Sequence, residues 1–261
     1  GFNSAESYIR HLELKIIEAS KSAPKSKKTA ESTTSTKTKK EPVKEAKSKV
    51  TKNSSKWPII HVVDVLDASG SMMGLKFSHA LDGINSGIRD LRSDETKVSY
   101  TYTLCEFSET VLFKYTLRSL DEVTNFVSKT RSSTSLFDAI GHTVDKLKKA
   151  IGKDDKVLVN IYTDGQENSS KEYTSDKISS YIEEYSKKGW TFTFIGTESD
   201  VKFAQSVLKF HQSNTLVYDG TASGLEYSLT KTRGARTNYS KSVEAGEDVS
   251  KGFYKDIETK K

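Results

Sequence analysis

Apolar residues fall into three regimes along this chain, and only the third can build a large core. Residues 4–20 (SAESYIRHLELKIIEAS) place Tyr8, Ile9, Leu12, Ile16 and Ile17 on one broad face at helical spacing. Asn3 followed by Glu6 has the spacing of a capping box. A helix this short is marginal by itself in water, so it is expected to pack either on its own domain or on a separate partner. Residues 21–56 are Lys, Ser, Thr, Ala and Glu with almost nothing apolar. Such a stretch cannot bury enough surface to offset its ordering entropy, which predicts a disordered, Lys-rich linker.

From Trp57 the pattern changes. Residues 59–66 (IIHVVDVL) form a nearly continuous apolar run, as expected of a central strand covered on both faces. Residues 75–91 show helical spacing through Phe77, Leu81, Ile84, Ile88 and Leu91. Residues 97–107 and 110–115 read as two strands joined tightly around Glu109, hence antiparallel. Helices are predicted at 120–128, 136–151, 175–188, 201–210 and 222–240, and further strands at 157–162, 191–195 and 215–218. Residues 241–261 are polar and weakly patterned, and read as an extension beyond a domain spanning 57–240.

Alternating strands and helices predict an α/β fold: a doubly wound, mostly parallel six-stranded sheet with one antiparallel edge strand and helices on both faces. Ligands of such sheets bind beyond the carboxyl ends of the strands, near the switch in strand order.

Charge separates the folded body from the tail. Of the net +6, residues 21–56 supply +9 through twelve lysines against three glutamates, whereas 57–261 carry 27 basic and 29 acidic groups. Any attraction to nucleic acid therefore belongs to 21–56, where it would be a weak phosphate contact; the segment has no interleaved aromatics for base stacking. The single cysteine, Cys105, excludes an intramolecular disulfide and a cysteine-based zinc site. Its alternating apolar surroundings predict a small buried side chain. No apolar run approaches the ~20 residues that cross a bilayer, and no signal-peptide stretch is present. The expectation is a soluble chain with no membrane partner, not secreted by a signal of its own; Gly1 has the look of a processed or tag-derived start.

Three loops at predicted strand ends carry the chemistry. Asp67-Ala68-Ser69-Gly70-Ser71 offers one carboxylate and two hydroxyls at alternate positions, with a glycine permitting a tight turn. Thr163-Asp164-Gly165 brings a second carboxylate to another strand end, and residues 132–136 (SSTSL) add the Thr134 hydroxyl before a helix. Small oxygen donors of this kind suit Mg²⁺ or Mn²⁺. The competing reading of Asp67 and Asp164 is helix capping, which needs no metal. Asp138 is expected to support the Thr134 loop or to start its helix.

Together, Asp67-x-Ser69-x-Ser71, Thr134 and Asp164 resemble the metal-ion-dependent adhesion site of von Willebrand factor type A domains, also known as integrin inserted-domain-like domains. The surrounding DASGSM, STSLFDAI and TDGQEN look like the stand-alone bacterial and phage-borne branch. The resemblance implies that Ser69, Ser71 and Thr134 approach the metal directly and that Asp67 and Asp164 act through bridging water. It also implies an open metal position completed by an Asp or Glu of a protein partner.

Enzymatic alternatives find less support. Asp64-Val65-Leu66-Asp67 lacks the Asp-x-Asp spacing of a phosphotransferase, and in a strand the two carboxylates point to opposite faces. Asp64 is then a sheet-edge polar group or one supporting the site. No phosphate loop, nucleophile elbow or His-Glu-x-x-His motif occurs, and His11, His61, His79, His142 and His211 are scattered. His61 reads as a satisfied core histidine. The chain is expected to be a non-catalytic protein-binding module, with a Mg-dependent hydrolase as an alternative. Another alternative is a virion-associated protein whose tail contacts DNA or capsid, since Ile16-Ile17-Glu18-Ala19 resembles sites cut during phage head maturation. Host cytoplasm or virion is the corresponding location.

Overall fold

The apolar run at 59–66 becomes β1 (Ile59–Asp67), in which every residue after the first is buried. The computed structural model describes residues 57–255, so the expected N-terminal helix, the Lys-rich linker and its nucleic-acid contact lie outside the described residues. β2 (Ser99–Phe107) and β4 (Lys156–Tyr162) flank β1 in parallel. β3 (Val111–Ser119) runs antiparallel to β2. β5 (Trp190–Gly196) and β6 (Thr215–Val217) extend the parallel part, giving the order β3-β2-β1-β4-β5-β6. This is the six-stranded sheet with one antiparallel edge that the apolar pattern predicts. Strand order reverses between β1 and β4, which puts the carboxyl ends Asp67 and Tyr162 at the switch point.

Among the described residues, five helices cover the sheet. α1 (Leu75–Arg92) and α5 (Ala222–Glu244) bury one face, through residues such as Phe77, Ile84, Ile88, Leu225 and Leu229. α2 (Leu136–Leu147), α3 (Ser175–Lys187) and α4 (Glu198–Ser206) bury the other, through Ile140, Val144, Ile178, Ile182 and Val201. Two glycines one helical turn apart let α5 approach α1 closely: a Cβ at Gly83 would lie 2.7 Å from Leu229 Cδ1, and one at Gly87 would lie 2.9 Å from Arg236 Nη1. Cys105 is fully buried, and both ring nitrogens of buried His61 are engaged, by Thr101 and Asp155. No helix among the described residues is long and apolar enough to cross a membrane.

Three expectations need correction. Asp64 is not at a sheet edge but fully buried in the central strand. There it accepts hydrogen bonds from Tyr102 Oη (2.8 Å), Asn160 Nδ2 (2.8 Å) and Tyr162 Oη (3.2 Å), and faces Arg236 of α5 at 3.6 Å. The helix expected at 120–128 is a single 3₁₀ turn, Leu120–Glu122. Beyond it, α1 side chains take the backbone groups a helix would use: Asn85 bonds both the N–H and the C=O of Phe126, and the Arg92 guanidinium reaches the carbonyls of Leu120 and Val123. Lastly, residues 241–255, the described part of the expected polar extension, are not simply polar. α5 continues to Glu244, and Val249, Phe253 and Tyr254 return to the core beside α5. Asn214 and Ser213 accept the Phe253 and Tyr254 amides there.

Candidate metal centre

β1 ends on Asp67, and the chain beyond it is fixed by backbone bonds before any side chain is considered. Ala68 N–H donates to Phe107 O (2.7 Å), Arg131 N–H to Ala68 O (2.7 Å) and Gly70 N–H to Ser132 O (3.2 Å). The first loop is thus stitched to the end of β2 and to the stretch that carries Thr134. That stretch is in turn bound to the loop after β4: Thr134 N–H donates to Asn168 Oδ1 (2.9 Å), while Thr134 O accepts from the amides of Asn168 and Ser169. Ser135 anchors both its N–H and its hydroxyl on Ser108 O.

These bonds bring oxygens from two of the loops around Gly165 of the third. A Cβ placed on Gly165 would lie 2.8 Å from Thr134 Oγ1, 3.1 Å from Ser71 Oγ and 3.3 Å from Asp67 Oδ2. Ser69 Oγ is 3.0 Å from Ser71 Oγ and so belongs to the same group. Four of the five predicted residues therefore converge on a cradle that any side chain at 165 would fill. Asp67, Ser69 and Thr134 are buried, while Ser71 is exposed, leaving one side open to solvent.

Asp67 is held on both oxygens: Oδ1 accepts from Ser69 N–H (2.7 Å) and Oδ2 from the Thr163 hydroxyl (2.6 Å). Burial pushes its carboxyl up to about 6, against the pull of those hydrogen bonds and with a contribution from the charge of Asp164. Asp164 pairs through Oδ2 with the Lys76 ammonium from the first turn of α1, while its Oδ1 is buried without a partner. Neither residue holds the N-cap position of a following helix: Ser69 precedes the 3₁₀ turn Gly70–Met72, Gly74 precedes α1, and Thr174 caps α3. Asp138 sits in the first turn of α2 and braces a different stretch, accepting from the amides of Lys171, Glu172 and Tyr173.

The donor set fits a hard cation better than a soft one: hydroxyls and carboxylates, no sulfur, no imidazole. Among the described residues no group of three or more His, Cys, Asp or Glu side chains could hold a metal ion. A cation bound here would rest on hydroxyls as well as carboxylates. The orphaned Asp164 Oδ1 and the glycine-floored cradle are both consistent with an ion and its water.

Three participants are not among the residues predicted for the site. Thr163 locks Asp67, Lys76 balances Asp164, and Tyr218, following β6, has a buried hydroxyl with no partner. Burial, followed by the charges of Asp164, Asp200 and Asp67, pushes the Tyr218 phenol well above its ordinary value, so it remains an O–H donor. A lysine in a first helical turn and a tyrosine after a three-residue strand have no spacing signal. Thr163, next to Asp164, was within reach.

Comparison with known proteins agrees with this architecture. The model of the von Willebrand factor type A domain matches residues 61–209. Proximal thread matrix protein 1 from the mussel byssus, in a structure with a zinc-occupied MIDAS motif, is similar in fold. It has a TM-score of 0.52 and 14% identity over 69% of this chain and 46% of that one. The pilus adhesin SpaC of Lactobacillus rhamnosus GG gives a TM-score of 0.55 and 12% identity over 69% of this chain and 31% of its own. This chain thus spans less than half the length of either structure. No curated protein matches the sequence. With more than half of its residues matched by the family model, the chain belongs to the von Willebrand factor type A domain family.

Proposed function

We propose that this chain is a non-catalytic protein-binding module in which Ser69, Ser71 and Thr134 hold one divalent cation, with Asp67 and Asp164 acting through water. The carrying observation is the cradle at Gly165, where oxygens of Thr134, Ser71 and Asp67 all lie within 3.3 Å of one point. Mg²⁺ or Mn²⁺ suits an oxygen-only set, although the matched mussel structure carries zinc in its motif. A cation there supplies an electrophilic position for an Asp or Glu side chain of a partner.

The chain's own groups favour binding over turnover. Asp67 already accepts from Ser69 and Thr163, and Asp164 carries the Lys76 ammonium, so neither is set up as a general base. Two and four residues after Ser71, Met73 and Leu75 are 70% and 59% exposed, apolar surface of the kind that protein partners cover. Affinity capture on the immobilised chain tests the reading. Partners retained in Mg²⁺ should be released by EDTA and should not bind Ser69→Ala. Equal retention by all three would contradict it.

A further inference from the structure

The end of α1 remote from the metal loops borders a second polar cavity. It measures about 490 Å³ and lies where the last turn of α1 and residues 93–96 face the C-terminal half of α5. Pockets that hold small molecules span roughly 300–1,000 Å³, so the size suits a free ligand. The lining includes the stretch that leads into β2 and none of the residues of the oxygen cradle.

Arg236 lines this cavity and is only 5% exposed. Asp64 stands 3.6 Å from its Nη2, and its Nε and Nη1 are buried with no hydrogen-bond partner. Leaving charged donors buried and unpaired is costly, so an acceptor entering the cavity would relieve a standing penalty. Two carboxylates on the wall are already taken. Asp90 pairs with Arg233 (2.5 and 3.1 Å), and Asp94 accepts from Thr96 N–H (2.8 Å) and from the Tyr100 hydroxyl. Two others are not. Glu95 and Glu244 also line the cavity, are exposed at its mouth, and stand in no ion pair among the described residues. Lys241 shares that rim, so the mouth keeps a net negative charge.

We propose that this cavity binds a small zwitterion, with its carboxylate on Arg236 and its ammonium at Glu95 and Glu244. The carboxylate supplies the acceptor that the guanidinium lacks, through charge-assisted hydrogen bonds. The ammonium offsets the acidic mouth that would repel an anion. A plain carboxylate meets that repulsion, and a plain amine leaves Arg236 unpaired. The ligand class is accordingly a free amino acid or a molecule of the same charge pattern. The site stands independently of the metal reading.

Calorimetric titration of the full chain in EDTA with glycine, 4-aminobutyrate and 6-aminohexanoate tests this, with butyrate and butylammonium as single-charge controls. At least one amino acid should bind about tenfold more tightly than either control, the effect of one charge-assisted contact. Removing Arg236 would disturb Asp64 as well, so exposed positions carry the test. Glu95→Gln with Glu244→Gln should reduce the amino acid to the affinity of butyrate. Thr237 is exposed and lines the cavity, so Thr237→Trp fills it from outside and should abolish binding at an unchanged melting temperature. No binding by any of the three amino acids would overturn the proposal, leaving a cavity that holds only water. Butyrate binding as tightly as the amino acids would overturn it too, as would affinity undiminished in Thr237→Trp.

Discussion

At Asp164 one carboxylate oxygen takes the Lys76 ammonium and the other is buried without a partner, so the charge of the cradle is balanced by a movable side chain. A cation entering beside that ammonium is repelled by it. Lys76→Met should therefore bind Mn²⁺ more tightly by about 1–2 kcal/mol, roughly tenfold, in a calorimetric titration. Weaker binding would show that Lys76 helps to build the site. Asp67 gives a pH signature in metal-free protein. Its folded carboxyl lies at about 6, above the ordinary 3.8, mainly through burial. The folded chain thus holds that proton more tightly. The contribution is fully present below about pH 4 and is lost as pH rises through about 6, a swing of up to about 3 kcal/mol. Asp67→Asn should flatten the metal-free stability profile across that window; an unchanged slope would assign it to other groups. Asp67, Ser69 and Ser71 were legible as alternate oxygens around a glycine at a strand end, and Thr134 only through the resemblance of the whole pattern to the metal-ion-dependent adhesion site. Lys76 was not, because a lysine in an exposed first turn reads as a solvated charge.

Among the elements, α5 shows the widest gap between pattern and attachment. Helical spacing located it to within a few residues, yet Ser228, Thr232, Arg236 and Ser240 are all buried on it. Its hold on the sheet is partly ionic: Arg236 reaches Asp64 on β1 from a groove opened by Gly87. Removing one partner of a buried pair leaves the other charge uncompensated. Arg236→Met should cost about 3–5 kcal/mol in urea unfolding; a loss under about 1 kcal/mol would show that the hydrogen bonds from Tyr102, Asn160 and Tyr162 satisfy Asp64 unaided. Helical spacing at 120–128 misled for a related reason. Val123 and Phe126 are buried, but Asn85 and Arg92 of α1 capture the backbone that a helix would have satisfied internally. Local periodicity carries no information about such distant side chains.

For the molecule as a whole, the mostly parallel six-stranded sheet with its antiparallel edge followed from the alternation of apolar runs, because each parallel crossover must pass over a helix; the strand order came from the structure. The end of the domain did not follow, since Val249, Phe253 and Tyr254 are three isolated apolar positions with no period. Each buried side chain of this size contributes about 1.5–3 kcal/mol. A chain ending at residue 244 should therefore lose several kcal/mol of stability, and an unchanged urea midpoint would place those residues outside the cooperative unit. The cradle joins three loops of that unit, and the most direct test of it is thermal unfolding with added Mn²⁺ or Mg²⁺. At a hundredfold excess over Kd, the wild type should gain roughly 5–10 °C. Ser69→Ala removes one hydroxyl, and Gly165→Ala fills the cradle at a position free of positive-φ strain. Both should unfold at the same temperature with and without the ion. An equal shift in all three proteins would contradict a metal held at this site.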